Sequence, residues 1–252
     1  MTESSEALIT VSDLSVVYGD YTVLKDVSFE VKRGEVFVIL GGSGCGKSTL
    51  LKHMIGLHRP KAGRVLIDGD DIVTADTQVH AQILRKIGVM YQSGALFGSM
   101  SLLENISLPL EEFTELPADA IELIARMKLK LVGLERFATY MPAEISGGMQ
   151  KRAAIARAMA LDPAILFLDE PSAGLDPVTS AELDALIRSL SQNLGITFVV
   201  VTHELPSIYA ISDRVIMLDK TTKGIIASGN PHELQKHHDD PLVRRFFNRE
   251  AA

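Results

Sequence analysis

The stretch GGSGCGKST, directly after the apolar run VFVIL, constrains the fold more than any other part of the 252-residue chain. Its spacing fits the pattern G-x-x-x-x-G-K-[ST] between a buried strand and a helix, which we predict from about Lys47 to Gly56. Glycines let the backbone wrap closely, so that successive N–H groups and the helix N-terminus face an anion. We therefore predict a phosphate-binding loop. Its residues are Gly41, Gly42, Ser43, Gly44, Cys45, Gly46, Lys47, Ser48 and Thr49.

Two side chains carry most of the predicted chemistry of this loop. We expect Lys47 to reach the β- and γ-phosphates of a nucleotide and the Ser48 hydroxyl to ligate Mg²⁺. Cys45 stands where the pattern leaves the side chain free, and no histidine in the local sequence could activate it as a nucleophile. The alternative, a glycine-rich turn with an incidental lysine, is disfavoured because strand, loop and helix follow in the required order.

The run ILFLDEP is predicted to be a buried strand that ends in two carboxylates, Asp169 and Glu170. Taken alone, such a pair is often an exposed strand end or a helix cap. After a phosphate-binding loop, Asp169 can hold Mg²⁺ through water and Glu170 can polarise the water that attacks the γ-phosphate. Adjacent residues on a strand point to opposite sides, so two separate roles are geometrically reasonable.

The order of the patterns predicts an α/β fold. Residues 8–40 alternate apolar and polar positions in short runs, which indicates a strand-rich N-terminal subdomain. Fully apolar strands then alternate with helical patterns, as in a mostly parallel sheet covered on both faces. Residues 101–160 are predicted to be helical, and Ser101 and Glu104 form a candidate capping box at their start. We therefore expect an inserted helical subdomain.

Composition excludes several classes of protein. With 25 Lys and Arg against 32 Asp and Glu, the chain lacks the basic balance that nucleic-acid binding needs. One cysteine excludes an internal disulfide and is typical of a reducing compartment. The apolar runs are far shorter than the roughly 20 residues of a transmembrane helix, and the N-terminus MTESSEALITV lacks the pattern of an export signal. We expect a cytosolic protein that meets membranes through a partner or a surface patch.

The stretch EISGGMQKRAAIARAMALDP resembles the signature helix of the ATP-binding cassette (ABC) family. The resemblance implies that Ser146, Gly147 and Gly148 present a hydroxyl, backbone amides and a helix N-terminus to the γ-phosphate held by another subunit. It therefore implies a homodimer with two ATP sites at its interface. Two positions depart from the family pattern, because Ile145 replaces Leu and Met149 replaces Gln. The phosphate contacts survive, so we expect hydrolysis to persist.

Further residues match the family in order along almost the whole chain. By this resemblance Tyr18 stacks on adenine, Gln92 contacts Mg²⁺ and the attacking water, Asp176 contacts the opposite subunit, and His203 contacts the γ-phosphate. Standing alone, a histidine after a strand is more often structural. The catalytic residues implied are Glu170, His203 and Gln92. The metal contacts implied are Ser48, Gln92 and Asp169.

The resemblance also implies a division of residues 1–252, a single ABC ATPase domain of the P-loop NTPase fold. A RecA-like core and the antiparallel β-subdomain take about 6–92 and 161–235, the helical subdomain about 93–160, and a C-terminal tail about 236–252. The chain has one cassette and no heptads or zinc motif, unlike the repair, chromosome-organising and ribosome-associated branches. A separate ATP-binding subunit of a transporter remains.

Within that class the chain is similar to the Mla-type ATPases of phospholipid transport systems built around a mammalian-cell-entry (MCE) domain protein. The stretches that carry this likeness are QSGALF, ENISLPL, SGGM with KRAAIARA, and DPLVRRFF. The likeness implies ATP hydrolysis with Mg²⁺, phospholipid transport between bacterial inner and outer membranes, and a peripheral place on the cytoplasmic face of the inner membrane. The partners implied are an integral membrane permease, an MCE-domain protein and a small regulatory subunit. Another ABC importer or exporter, or an ABC ATPase without a permease, is the alternative.

The apolar stretch MYQSGALFGSMSLLENISLPL enters the predicted helical subdomain, which in this family meets the permease. About half of it is expected to be core, by the period of its Leu and Ile positions. We predict that Leu96, Phe97 and Met100 line a groove that receives a short cytoplasmic helix of the permease.

Overall fold

The computed structural model describes residues 7–237 and 239–249. Two segments lie outside the described residues. They are residues 1–6, at the N-terminus where no export signal is predicted, and residues 250–252, at the end of the predicted tail. The strands in the described part of the chain form two sheets. They are β1 (Ala7–Tyr18), β2 (Tyr21–Lys32), β3 (Val36–Gly41), β4 (Ala62–Ile67), β5 (Asp70–Asp71), β6 (Ile87–Met90), β7 (Ile165–Asp169), β8 (Thr197–Val201), β9 (Arg214–Asp219) and β10 (Gly224–Gly229).

The four-stranded sheet, in the order β2-β1-β4-β5, is antiparallel throughout. Its alternation of buried and exposed side chains is interrupted in β1, where the buried series passes from Val11 to Leu14. Asp13 lies within this bulge with a φ of 50°, and its N–H donates to Ser28 Oγ at 2.8 Å. The bulge keeps the apolar side chains on one face of the sheet although the sequence alternation changes phase. This sheet is the predicted strand-rich subdomain.

The six-stranded sheet, in the order β10-β9-β3-β8-β7-β6, is parallel except for β10, which runs antiparallel to β9. Every residue of β3, β7 and β8 is buried, because apolar groups cover both faces. In β3, Phe37 and Ile39 pack with the N-terminal sheet and the first helix, whereas Val38 and Leu40 pack with helices on the other face. The predicted parallel sheet is confirmed.

The helices fill the connections between these strands. Two short 3₁₀ turns, Glu135–Phe137 and Pro142–Glu144, lie among them. The α-helices are α1 (Lys47–Met54), α2 (Thr77–Arg85), α3 (Leu102–Phe113), α4 (Ala118–Leu131), α5 (Gly147–Ala158), α6 (Pro177–Leu194), α7 (Leu205–Ile211), α8 (Pro231–His237) and α9 (Pro241–Asn248).

The inserted helices α3, α4 and α5 stand between β6 and β7. The predicted capping box begins α3: Ser101 Oγ accepts from Glu104 N, and Glu104 Oε2 accepts from Ser101 N at 2.7 Å. Close contact joins α5 to the sheet, because a Cβ on Gly88 of β6 would come within 2.1 Å of Ala158 O. The start of β6 and the C-terminal end of α5 are therefore in close contact.

The architecture confirms the predicted fold class, with a mostly parallel core, an antiparallel N-terminal sheet and inserted helices. The exact subdomain limits stay a prediction. One element crosses a predicted limit, because α8 runs through position 236, where the tail was expected to begin.

Candidate functional site

The predicted phosphate-binding loop joins β3 to α1 and begins at a glycine that a larger residue could not replace. Gly41 has a φ of 146°, and a Cβ there would come within 2.4 Å of Leu218 O. With the exception of Cys45, all the predicted loop residues line a cavity of about 690 Å³. The Cys45 side chain is buried, and burial raises the pKa of its thiol. A thiol with a raised pKa is a poor nucleophile at neutral pH, as the sequence predicts for this position.

The side chain of Lys47 folds back onto the main chain of its own loop. Its Nζ donates to Gly41 O at 2.9 Å and to Gly42 O at 3.2 Å. Both contacts are to neutral main-chain carbonyls, so neither of them pairs the Lys47 side chain with a carboxylate. The ammonium lies where the amides of the loop also concentrate positive potential.

Ser48 and Asp169 meet beside the cavity although 121 positions separate them. The Ser48 hydroxyl donates to Asp169 Oδ1 at 3.1 Å, which brings α1 and the end of β7 together. Burial raises the pKa of Asp169 and the nearby Glu170 acts in the same direction, whereas the hydrogen bond from Ser48 and the charges of Lys52 and Lys47 act against it. The carboxylate is thus held among cations at the edge of the core.

Glu170 reaches its position by leaving the strand. The strand β7 ends at Asp169, and Glu170 has a left-handed backbone with a φ of 47°. The expectation that strand alternation separates the two carboxylates is therefore incomplete, because this backbone turn sets the direction of Glu170. Its Oε1 lies 2.8 Å from His203 Nδ1. Its Oε2 is buried and has no hydrogen-bond partner among the described residues.

Gln92 follows β6 at the start of a segment that we call the Q-loop, residues 92–97. Its side chain is exposed and lines the cavity together with Glu170 and His203. It also lines an adjoining cavity of about 620 Å³ with Asp169 and Lys52. Gln92 therefore stands between the phosphate-binding loop and the carboxylate pair.

The oxygen atoms at this place fit Mg²⁺. This ion usually takes one or two carboxylates together with substrate phosphates and water. Ser48 Oγ and Asp169 Oδ1 are already within hydrogen-bond distance, and Glu170 Oε2 is a buried acceptor that lacks a partner in the described chain. Ser48 and Asp169 are the residues best placed to hold the ion, with Gln92 beside them.

Besides Cys45, and Asp169, which lines the adjoining cavity, five predicted residues are absent from the described residues that line this cavity: Tyr18, Ser146, Gly147, Gly148 and Asp176. Tyr18 is 51% exposed at the end of β1. Ser146 caps α5, where its Oγ accepts from Met149 N at 3.3 Å. Asp176 caps α6, where its Oδ1 accepts from Val178 N and Thr179 N. A single chain thus presents these groups on other surfaces.

The structure adds residues that sequence reasoning missed. Tyr21, Val23 and Phe246 line the cavity, and Lys52 approaches Asp169 from α1. Phe246 belongs to α9, in which the apolar residues of PLVRRFFN recur with the period of a helix. That period predicts a packed helix, but it gives no sign that one phenylalanine reaches a site near the start of the chain.

The fold and the site together define a nucleotide-binding protein of the P-loop class. The sequence pattern of the ABC transporter family matches residues 24–173, which contain the loop, Gln92, the start of α5 and both carboxylates. The chain belongs to this family.

Two curated relatives extend the match over nearly the whole chain. The intermembrane phospholipid transport system ATP-binding protein MlaF of Escherichia coli is 39% identical over 248 residues, which cover 98% of this chain and 91% of that protein. The probable ribonucleotide transport ATP-binding protein mkl of Mycobacterium leprae is 42% identical over 240 residues, which cover 95% of this chain and 68% of that protein.

A solved structure agrees with the fold. It is a dimeric ATP-binding cassette in a post-hydrolysis state, bound to ADP and phosphate, and is 33% identical with a TM-score of 0.79. The match covers 88% of this chain and 98% of that one. Of the helices in the described ranges, none has the length and apolar composition needed to cross a membrane.

Proposed function

We propose that this chain hydrolyses ATP to ADP and phosphate as one of two identical subunits, and that this cycle powers phospholipid transport between bacterial inner and outer membranes. The observation that carries the proposal is the convergence of Lys47, Ser48, Gln92, Glu170 and His203 on one cavity. They come from four separate stretches of the sequence, and together they offer a cation, a metal ligand and a proton acceptor.

The residues divide the reaction between them. The loop amides and Lys47 bind the phosphates. Ser48 and Asp169 would hold Mg²⁺, which would supply neutralisation of charge on the phosphate oxygens. Glu170, oriented by His203, uses its unpartnered oxygen to accept the proton of the attacking water, which Gln92 also contacts. We further propose that Tyr18 stacks on the adenine.

The second subunit supplies the remaining contacts. Ser146, Gly147 and Gly148 stand at the N-terminus of α5, where amide groups favour an anion, yet they do not line the cavity of their own chain. In the proposed dimer they contact the γ-phosphate held by the partner, and Asp176 contacts the opposite subunit. ATP drives closure because the closed dimer binds it better than the open one. The solved dimer with ADP and phosphate supports this arrangement.

The proposed subunit works on the cytoplasmic face of the inner membrane. Closure passes to a separate permease through residues 93–160, the proposed helical subdomain, with the core and β-subdomain at 6–92 and 161–235 and a tail at 236–252. The similarity to MlaF, whose name states intermembrane phospholipid transport, supports the cargo. We include an MCE-domain protein and a small regulatory subunit among the partners, and no nucleic acid.

A second candidate cargo is a ribonucleotide. The relative from Mycobacterium leprae carries that name and is 42% identical, slightly more than MlaF. The two candidates share the ATPase cycle and differ only in what the permease moves.

Purification from membranes tests the transport role and separates the two cargoes. We expect the tagged chain to leave the membrane in mild detergent with a multi-span protein and an MCE-domain protein, and organic extracts of the complex to contain phospholipid. Recovery of a permease with bound nucleotide at a site other than the ATPase would favour the second candidate. A chain found without any membrane protein would refute both.

A further inference from the structure

Two basic side chains of α5 hold the main chain of the Q-loop. Lys151 Nζ donates to Gln92 O. Arg157 donates through Nη2 to Gly94 O at 3.1 Å and through Nη1 to Ala95 O at 2.7 Å. Two basic side chains of one helix therefore bind three carbonyls of the loop, those of Gln92, Gly94 and Ala95, and the first residue of this loop faces the proposed reacting water.

The same face of α5 also packs against the main chain of the Q-loop. Lys151, Ala154 and Arg157 are three residues apart, so they share one side of the helix. A Cβ built on Gly94 would lie 3.4 Å from Ala154 Cβ. The guanidinium of Arg157 lies 5.8 Å from the centre of the Phe97 ring. The Q-loop and α5 consequently form one packed unit.

Lys151 is unusual among these contacts because it is a buried cation. The residue is only 9% exposed, and within the described part of the chain it forms no ion pair. Burial lowers the pKa of Lys151, and the charge of Glu170 acts in the opposite direction. Burying a charge without a counter-ion is unfavourable, so the position requires a compensating reason.

A second buried lysine in the inserted helices has a counter-ion, which is the usual way to stabilise a buried charge. Lys128 on α4 is 7% exposed and forms an ion pair with Asp162. Its contacts stay away from the cavity and from the Q-loop. Lys151 has instead a neutral carbonyl at Gln92 as its hydrogen-bond partner and the field of Glu170 as its electrostatic one.

We propose that Lys151 is a positioning residue for ATP hydrolysis: its ammonium fixes Gln92 relative to Glu170 and ties the Q-loop to α5. Besides its effect through charge, this contact couples the movement of α5 to the position of Gln92. Because Ser146 caps the N-terminus of α5, any movement of that N-terminus toward the partner subunit carries Gln92 with it. The catalytic part of this inference rests on the hydrolysis proposed above, whereas the tie itself does not.

The test uses the full-length chain with Lys151→Met, which keeps most of the length of the side chain and removes its charge and donors. We expect kcat to fall by about tenfold or more, as for the loss of a charge-assisted contact, while the Kd for ATP changes less than about twofold. Lys151→Arg should recover most of the rate. Hydrogen exchange of the Q-loop amides, measured without nucleotide, should become faster in Lys151→Met.

Lys128→Met is the matched control, since it removes a buried lysine from the same helical group. It should lower the melting temperature yet leave kcat per folded molecule and Q-loop exchange as in the unmodified chain. The inference is overturned if Lys151→Met keeps the normal kcat, or if its Q-loop exchange does not differ from that of Lys128→Met. If the unmodified chain hydrolyses no ATP, the proposed function fails, and the exchange comparison still decides whether Lys151 holds the Q-loop.

Discussion

Glu170 combines a strained backbone with a side-chain oxygen, Oε2, that has no hydrogen-bond partner in the described part of the chain. A non-glycine residue in the left-handed region costs about 1–3 kcal/mol and persists only where surrounding contacts fix it. Here its N–H donates to Val201 O at 2.8 Å, and its Oε1 lies 2.8 Å from His203 Nδ1. These contacts aim the free Oε2 instead of leaving it to rotate, which suits a group that must accept a proton from one direction.

Glu170→Gln should separate binding from hydrolysis. The amide has nearly the same size and can still contact His203, but it cannot accept a proton. We expect hydrolysis to fall by at least about 100-fold, the lower range of general base catalysis, with ATP affinity retained. Phosphate release and equilibrium binding of ATP would be measured on the same preparation, and unchanged turnover would contradict the role given to Glu170.

Lys47→Ala provides the opposite pattern. It removes the cation at the wall of the loop, so the Kd for ATP should rise and hydrolysis should be lost for lack of bound substrate. An ATP affinity close to that of the unmodified chain would argue against the assignment of this loop as the phosphate site.

At the scale of elements, the segment between β6 and α3 is held rigid by a buried amide. Asn105 Oδ1 accepts from Phe97 N at 2.8 Å, and its Nδ2 donates to Phe97 O, Met100 O and Ser101 O. Each of these groups would cost about 1–3 kcal/mol if it were buried without a partner. The segment is therefore ordered although it contains no regular structure, and Phe97 is 49% exposed on its outer side. Leu96 packs against the core instead.

This exposure assigns most of the predicted permease contact to Phe97. Phe97→Asp should weaken recovery of the permease with the tagged chain, because a charge there disfavours burial against an apolar helix. ATP binding by the isolated chain should stay normal. Phe113→Asp, at an equally exposed position at the end of α3, is the control and should retain the permease. Equal recovery with both variants would show that the contact lies elsewhere.

The elements and most of the site could be predicted from the sequence because their signals are local. The loop from Gly41, the capping box at Ser101 and the apolar strands all follow from neighbouring residues. The contact of Lys151 with Gln92 joins positions 59 apart, and the entry of Phe246 into the cavity depends on where α9 packs. The bend at Glu170 is equally hidden, since a strand pattern continues through Asp169 without any sign of a left-handed residue.

For the whole molecule, the distribution of functional groups over separate surfaces is the decisive feature. The phosphate-binding loop, Glu170 and His203 share one cavity, whereas Ser146 and Asp176 cap helices whose N-termini do not line it in the described residues. A second copy is the simplest source of an α5 N-terminus opposite the loop, and a shared nucleotide makes dimer formation depend on ATP. The tie from α5 to Gln92 then relates closure of the dimer to the geometry of the reacting water.

The most direct test of this account is the mass in solution of the Glu170→Gln chain, measured by light scattering with and without ATP and Mg²⁺. Because this variant is expected to bind ATP without hydrolysing it, the account predicts twice the 27.4 kDa of one chain with ATP and a lower mass without it. Adding Ser146→Arg should prevent the increase, since the bulky side chain would occupy the place of the γ-phosphate. A mass of one chain under saturating ATP, or an increase that survives Ser146→Arg, would contradict a nucleotide held between two subunits.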